Sequence, residues 1–82
     1  MNIEAKFEEL LTEARAALAA LDSRDASVGG LVERVSALRY AEGTLVGFLH
    51  AMVIADPSAA KRVAPRIESF IGEAIAARLL LE

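Results

Sequence analysis

Apolar residues recur along this chain in steps of three and four, the spacing that lines one face of an α-helix. Ile3, Phe7, Leu10, Ala14, Ala17 and Leu21 keep that step, Leu11 and Leu18 widen the stripe, and Glu9, Thr12, Glu13 and Ala16 face away from it. The pattern predicts a helix over 3–21, capped by Asn2, with Glu4, Glu8 and Glu9 near the positive end of its dipole. The next stretch, Asp22-Ser23-Arg24-Asp25-Ala26-Ser27, has no hydrophobic period and reads as a loop. A second helix is predicted over 28–55, capped by Asp25 or Ser27, with Gly29 and Gly30 loosening its first turn. Its stripe runs Val28, Leu31, Val35, Leu38, Glu42, Leu45, Leu49 and Met52.

The two halves of that second helix differ. Glu33, Arg34, Ser36 and Arg39 lie off the stripe in the first half, which is therefore amphipathic. The second half carries Leu45, Val46, Phe48, Leu49, Met52, Val53 and Ile54 and is apolar nearly all round. A helix of that kind has to be surrounded, and two neighbours from one short chain do not surround it. This half is expected at the centre of an oligomer, with Gly43, Leu45, Gly47, Phe48, Leu49 and Met52 at the interface. Asp56-Pro57 then pairs a good cap with a residue suited to the first helical position, so a third element starts at once. Pro65 falls beyond the free first turn, where proline removes a backbone hydrogen bond and disfavours helical angles at Ala64. A short helix over 57–63 is expected, then a kink or break, then a main helix over 65–81. Val63, Ile67, Phe70, Ala74, Ala77 and Leu81 form its stripe, with Ile71 and Ile75 beside it. The expected fold is all-α, one domain over 1–82, an antiparallel bundle of three main helices completed by dimerisation.

Composition sharpens the expectation of self-association. The chain has 82 residues, 55% of them hydrophobic and only 5% aromatic, so Ala and Leu supply most of the apolarity. For its mass of 8.7 kDa, folding removes about 7,900 Å² from water. That burial is worth on the order of 120 kcal/mol, and ordering the backbone and side chains costs about as much at ~1.5 kcal/mol per residue. A small domain in that position needs a further source of stability. Disulfides are excluded because there is no cysteine, and a single histidine makes a metal cage a poor candidate. Association with a second copy remains, and another protein is a further possible partner. The longest uncharged run, 43–55, spans about 20 Å as helix and falls short of a bilayer core. Glu4, Glu8 and Glu9 are the reverse of the positive start of a secretory leader. A cytoplasmic protein that does not engage membranes is expected. The net charge of −3 argues against nucleic-acid binding, which needs a concentrated basic face.

Candidate chemistry is sparse. Gly43 and Gly47 form a small-xxx-small pair, extended by Ala51, that lets helix backbones approach closely; the competing reading is a ligand pocket. His50, the single histidine, lies one turn further on. With Tyr40, Gly43 and Gly47 it outlines a possible pocket for a small apolar ligand or haem, the plainer reading being a partly buried imidazole bonded to a nearby polar group. Glu42 interrupts the apolar stripe, and a slight rotation of the helix would turn Ala41 inward and leave Glu42 on the rim. The pairs Glu4/Glu8 and Glu9/Glu13 sit one turn apart, a spacing that can hold a divalent cation in a hydrolase, although a solvated face is the simpler account. Lys61, Arg62 and Arg66 form a small basic cluster that either faces solvent or meets the acidic first helix of a neighbouring copy. Nucleophile-elbow, phosphate-loop, Glu-x-x-His and zinc signatures are missing, so no catalytic residues and no cofactor are assigned. The leading reading is a homo-oligomeric structural or interaction module, an adaptor, regulator or accessory protein. The alternative is a binder of an apolar ligand or haem near His50.

Overall fold

A computed structural model describes residues 2–22 and 30–81 of the chain. Three helices make up almost all of them: α1 (Ile3–Ala20), α2 (Leu31–Ala55) and α3 (Pro57–Leu79). The caps follow from local chemistry. Asn2 holds an extended backbone, and its Oδ1 accepts a hydrogen bond from the Ala5 N–H at 3.1 Å. Asp56 does the same for Ala59 at 3.1 Å, with Pro57 in the first turn of α3, where its missing N–H costs nothing. One residue therefore separates α2 from α3, and the chain reverses there.

Two boundaries differ from the sequence expectation. Gly30 is the N-cap of α2, in extended conformation and without a side-chain hydrogen bond, so the helix starts at Leu31. The expected caps Asp25 and Ser27, with Val28 and Gly29, lie outside the described residues. The third element is one helix from Pro57 to Leu79, unbroken at Pro65, so the separate short helix over 57–63 is its first part. Pro65 and Lys61 are both exposed. Pro65 and the residue whose carbonyl it leaves without a helical partner thus lie on the solvent-facing side of α3, where a lost backbone bond costs least.

The core is a single cluster in which each helix contributes its stripe. Phe7, Leu11, Ala14 and Leu21 come from the α1 segment and Leu38, Leu45 and Met52 from α2. Ala59, Ala60, Val63, Ile67, Phe70 and Ala74 come from α3. The three α2 residues are seven apart, one full heptad each. Four of the thirteen core residues are alanines, so the helices approach closely at those points. Phe7 and Phe70, both fully buried, fill the wider spaces between them.

Side-chain pairs define the topology. Glu4 meets Arg62, Glu8 meets Arg66 and Arg15 meets Glu73, three pairs all 58 residues apart, so α1 and α3 run parallel in one register. Arg34, near the start of α2, reaches the C-terminal carbonyls of the α1 segment, and Glu42 in the first half of α2 meets Arg78 near the end of α3. Consequently α2 is antiparallel to both neighbours. The bundle runs up, down and up, as the sequence pattern predicts.

Truncating a ring in this core removes packing that nothing else replaces. Phe70→Ala is expected to cost about 3–5 kcal/mol in chemical denaturation. Glu9→Gln, on the exposed side of α1, should stay within about 0.5 kcal/mol of the parent.

Candidate functional site

α2 has two seams on opposite sides. Val35, Leu38, Glu42, Leu45, Leu49 and Met52 recur in steps of four and three and face the other two helices, while Leu31, one step earlier, is exposed. Ser36, Tyr40, Gly43, Gly47, His50 and Ile54 recur in the same steps half a turn away, and all six are exposed. Of the six residues expected at an interface, Leu45 and Met52 are enclosed in the chain's own core, Phe48 and Leu49 are half-buried against it, and Gly43 and Gly47 lie on the outer seam. Tyr40 is 78% exposed and Ile54 87%, with Val53 beside it at 53%.

Charge separates this face from the others. The exposed side of α1 carries Glu4, Glu8, Glu9, Glu13 and Arg15, and that of α3 carries Lys61, Arg62, Arg66, Glu68 and Glu73. Between Tyr40 and Ala55 the formal charge of α2 is that of Glu42 alone, and Glu42 turns inward to Arg78. The outer seam is therefore an uncharged strip about 24 Å long. The glycines add a second anomaly. A Cβ built on Gly43 or on Gly47 would meet nothing within 4 Å, so neither glycine is required by packing within the chain. Each costs about 1 kcal/mol relative to alanine in a helix interior.

The charged candidates are engaged elsewhere. Glu4 and Glu8 bind Arg62 and Arg66 of the same chain, not a neighbouring copy, and Arg66 also lies over the Phe7 ring with its guanidinium carbon 5.0 Å from the centroid. Arg15 spans Glu73 at 3.0 Å and lies 5.9 Å from the centroid of Phe70. Arg62 and Arg66 of the basic cluster and the acidic start of α1 are thus two halves of one seam, while Lys61 lines the α2–α3 groove. The hydrogen bond from Arg66 holds the Glu8 carboxyl below the usual range; desolvation opposes it, and the Arg66 charge adds a lesser lowering. The hydrogen bond to Glu8 in turn raises Arg66. Glu42 stays on the inner seam, its side chain 13% exposed and paired with Arg78, with Ala41 half-buried beside it, so the helix is not rotated to leave Glu42 on the rim. Its partner Arg78 lies 36 residues away and carries no local sequence signal. Arg34 donates to the carbonyls of Ala20 and Leu21 at 3.4 and 3.1 Å, and to that of Gly30 at 3.3 Å. The last turn of α1 has no basic residue of its own, so α2 provides the cation its dipole favours.

Two grooves flank the outer seam. One, of about 230 Å³, lies between α1 and α2 and is lined by Leu10, Ala14, Ala17, Ala37, Tyr40 and Ala41, with Glu13 and Thr44 at its edge. The other, of about 240 Å³, lies at the α2–α3 junction against Leu49, Val53, Pro57, Ala60, Lys61 and Ala64. Tyr40 reaches the first; His50, Gly43 and Gly47 line neither. His50 is exposed, which corrects the expectation of a partly buried imidazole, because exposure follows the face of the helix and not the hydropathy of the run. Among the described residues no cluster of three potential metal ligands is present, and no helix is long and apolar enough to cross a membrane. No protein-family model, characterised protein or solved structure matches the chain significantly.

Two predictions follow from the ion pairs. Because the folded Glu8 carboxyl is held below its ordinary value, its contribution is present above the unfolded pKa and is lost as pH falls through the folded one. Glu8→Gln should therefore flatten the acid limb of the stability–pH curve, with little change in its shape above neutrality. Removing Arg78 leaves the largely buried Glu42 carboxylate without its partner, so Arg78→Met should destabilise by about 1–3 kcal/mol. Glu42→Leu combined with Arg78→Met should recover much of that loss, which a double-mutant cycle in urea measures.

Proposed function

We propose that this chain is a small structural or protein-interaction module, an adaptor, regulator or accessory protein, that works as a homo-oligomer and uses the outer face of α2 as its contact. The observation that carries this reading is the uncharged outer seam with two glycines that nothing within the chain requires. Area supports it. The chain exposes 5364 Å², against about 4,700 Å² for a monomer of its mass. The difference of roughly 600 Å² is most of the ~800 Å² that each partner hides in a standard interface. The shape points the same way, since the radius of gyration of 13.6 Å exceeds the roughly 12 Å of a rounded domain of this length. The lack of cysteine suits a reducing, cytoplasmic setting.

A pocket for haem or another apolar ligand beside His50 is the weaker reading. Tyr40, Gly43, Gly47 and His50 form an open helix surface and do not enclose a volume.

Light scattering at micromolar concentration is expected to give at least twice the 8.7 kDa chain mass. Gly47→Glu adds a charge where the chain itself has free space, so it should lower the mass to one chain while the helical circular-dichroism signal persists. A parent protein that stays monomeric would overturn the proposal.

A further inference from the structure

Resting on the reading of α2 as a self-association face, we propose that two copies pack α2 against α2 in antiparallel orientation about a two-fold axis passing between Gly43 and Gly47. Each Gly43 then faces the other copy's Gly47, and each Tyr40 faces the other copy's His50.

The occupant is a second copy because the seam is self-complementary in size. Read outward from its midpoint at residue 45, it runs glycine, ring, then an end residue in both directions: Gly43, Tyr40 and Ser36 one way, Gly47, His50 and Ile54 the other. A two-fold interface requires one patch to match itself in this way. The glycines set the point of closest approach, where two backbones meet with no side chain between them. The end residues then decide the direction. In a parallel pair Ile54 would meet Ile54 at one end and Ser36 would meet Ser36 at the other, forcing the helices apart at one end and leaving a gap at the other. In the antiparallel pair a large residue meets a small one at both ends, so the helices keep one separation along the whole strip. That arrangement also brings the second copy's Ile54, 87% exposed in the single chain, above Ser36, next in sequence to Ala37 of the α1–α2 groove. Between Tyr40 and Ile54 neither copy has a formal charge to desolvate, because Glu42 is turned inward to Arg78, and the exposed Arg39 lies at the end of the strip beside Tyr40. The ~600 Å² of surplus surface per chain is close to what such a contact hides.

The absence of native cysteine makes the orientation directly readable. Tyr40→Cys and His50→Cys are prepared separately, both at exposed positions, and folding of each is checked by circular dichroism. Residues 40 and 50 lie about 15 Å apart along one helix. In the antiparallel pair, like residues are therefore too far apart for a disulfide, which needs Cα atoms within about 7 Å. Under a mild oxidant each variant alone should stay uncrosslinked, and a mixture of the two should give a disulfide-linked species of twice the chain mass. Crosslinking of either variant with itself would overturn the antiparallel arrangement while leaving self-association through this face intact. A dimeric mass with no crosslink in any combination would overturn the assignment of this seam. A monomeric mass would overturn both the arrangement and the self-association on which it rests.

Discussion

α2 has an apolar face and, opposite it, an uncharged one, and the chain provides helices enough to cover only the first. Everything else in the structure is arranged around that constraint. The inner seam takes Leu38, Leu45 and Met52 into the core and recruits α1 and α3 to enclose them. What remains is the strip from Tyr40 to Ile54, which water covers in a single chain. Bulky charged side chains dominate the outer faces of both neighbours, and the same side of α2 has none over this stretch. The proposed contact face would account for that contrast, and for two interior glycines that packing within one chain does not require.

The neighbours are held in place by inexpensive but directional means. Exposed ion pairs contribute little stability singly, yet three of them at one offset select a register. A shift of α3 by one turn either way leaves only one of these acidic or basic side chains opposite an opposite charge: Glu8 with Arg62 in one direction, Glu4 with Arg66 in the other. Arg66 and Arg15 also lay their guanidinium groups over Phe7 and Phe70, so the polar edge of the α1–α3 seam closes directly over the core. Arg34 ties the start of α2 to the end of α1, and Glu42–Arg78 ties α2 to the end of α3. The charged residues therefore orient the bundle, and apolar burial with alanine-mediated close approach stabilises it.

Local chemistry was legible in the sequence. Asn2 and Asp56 cap as their side chains and following residues dictate, and the three-and-four spacing marks the helices that form. Features that depend on distant parts of the chain were not legible. Pro65 reads as a break, but the carbonyl it orphans belongs to Lys61 on the solvent side, which only the packed arrangement reveals. Arg78 lies 36 residues from Glu42, so no window of sequence joins them. The apolar second half of α2 does not show which of its faces its own chain covers. Leu45 and Met52 went inward, Gly43, Gly47 and His50 stayed outside, and that choice is set by α1 and α3 together.

Thermal unfolding followed across a hundredfold range of protein concentration tests the central claim most directly. If the outer face of α2 is stabilised by a second copy, dissociation is coupled to unfolding and the midpoint rises steadily with concentration. A midpoint independent of concentration, with the monomer mass at every dilution, would mean that α2 leaves its uncharged outer face to water and would contradict the account.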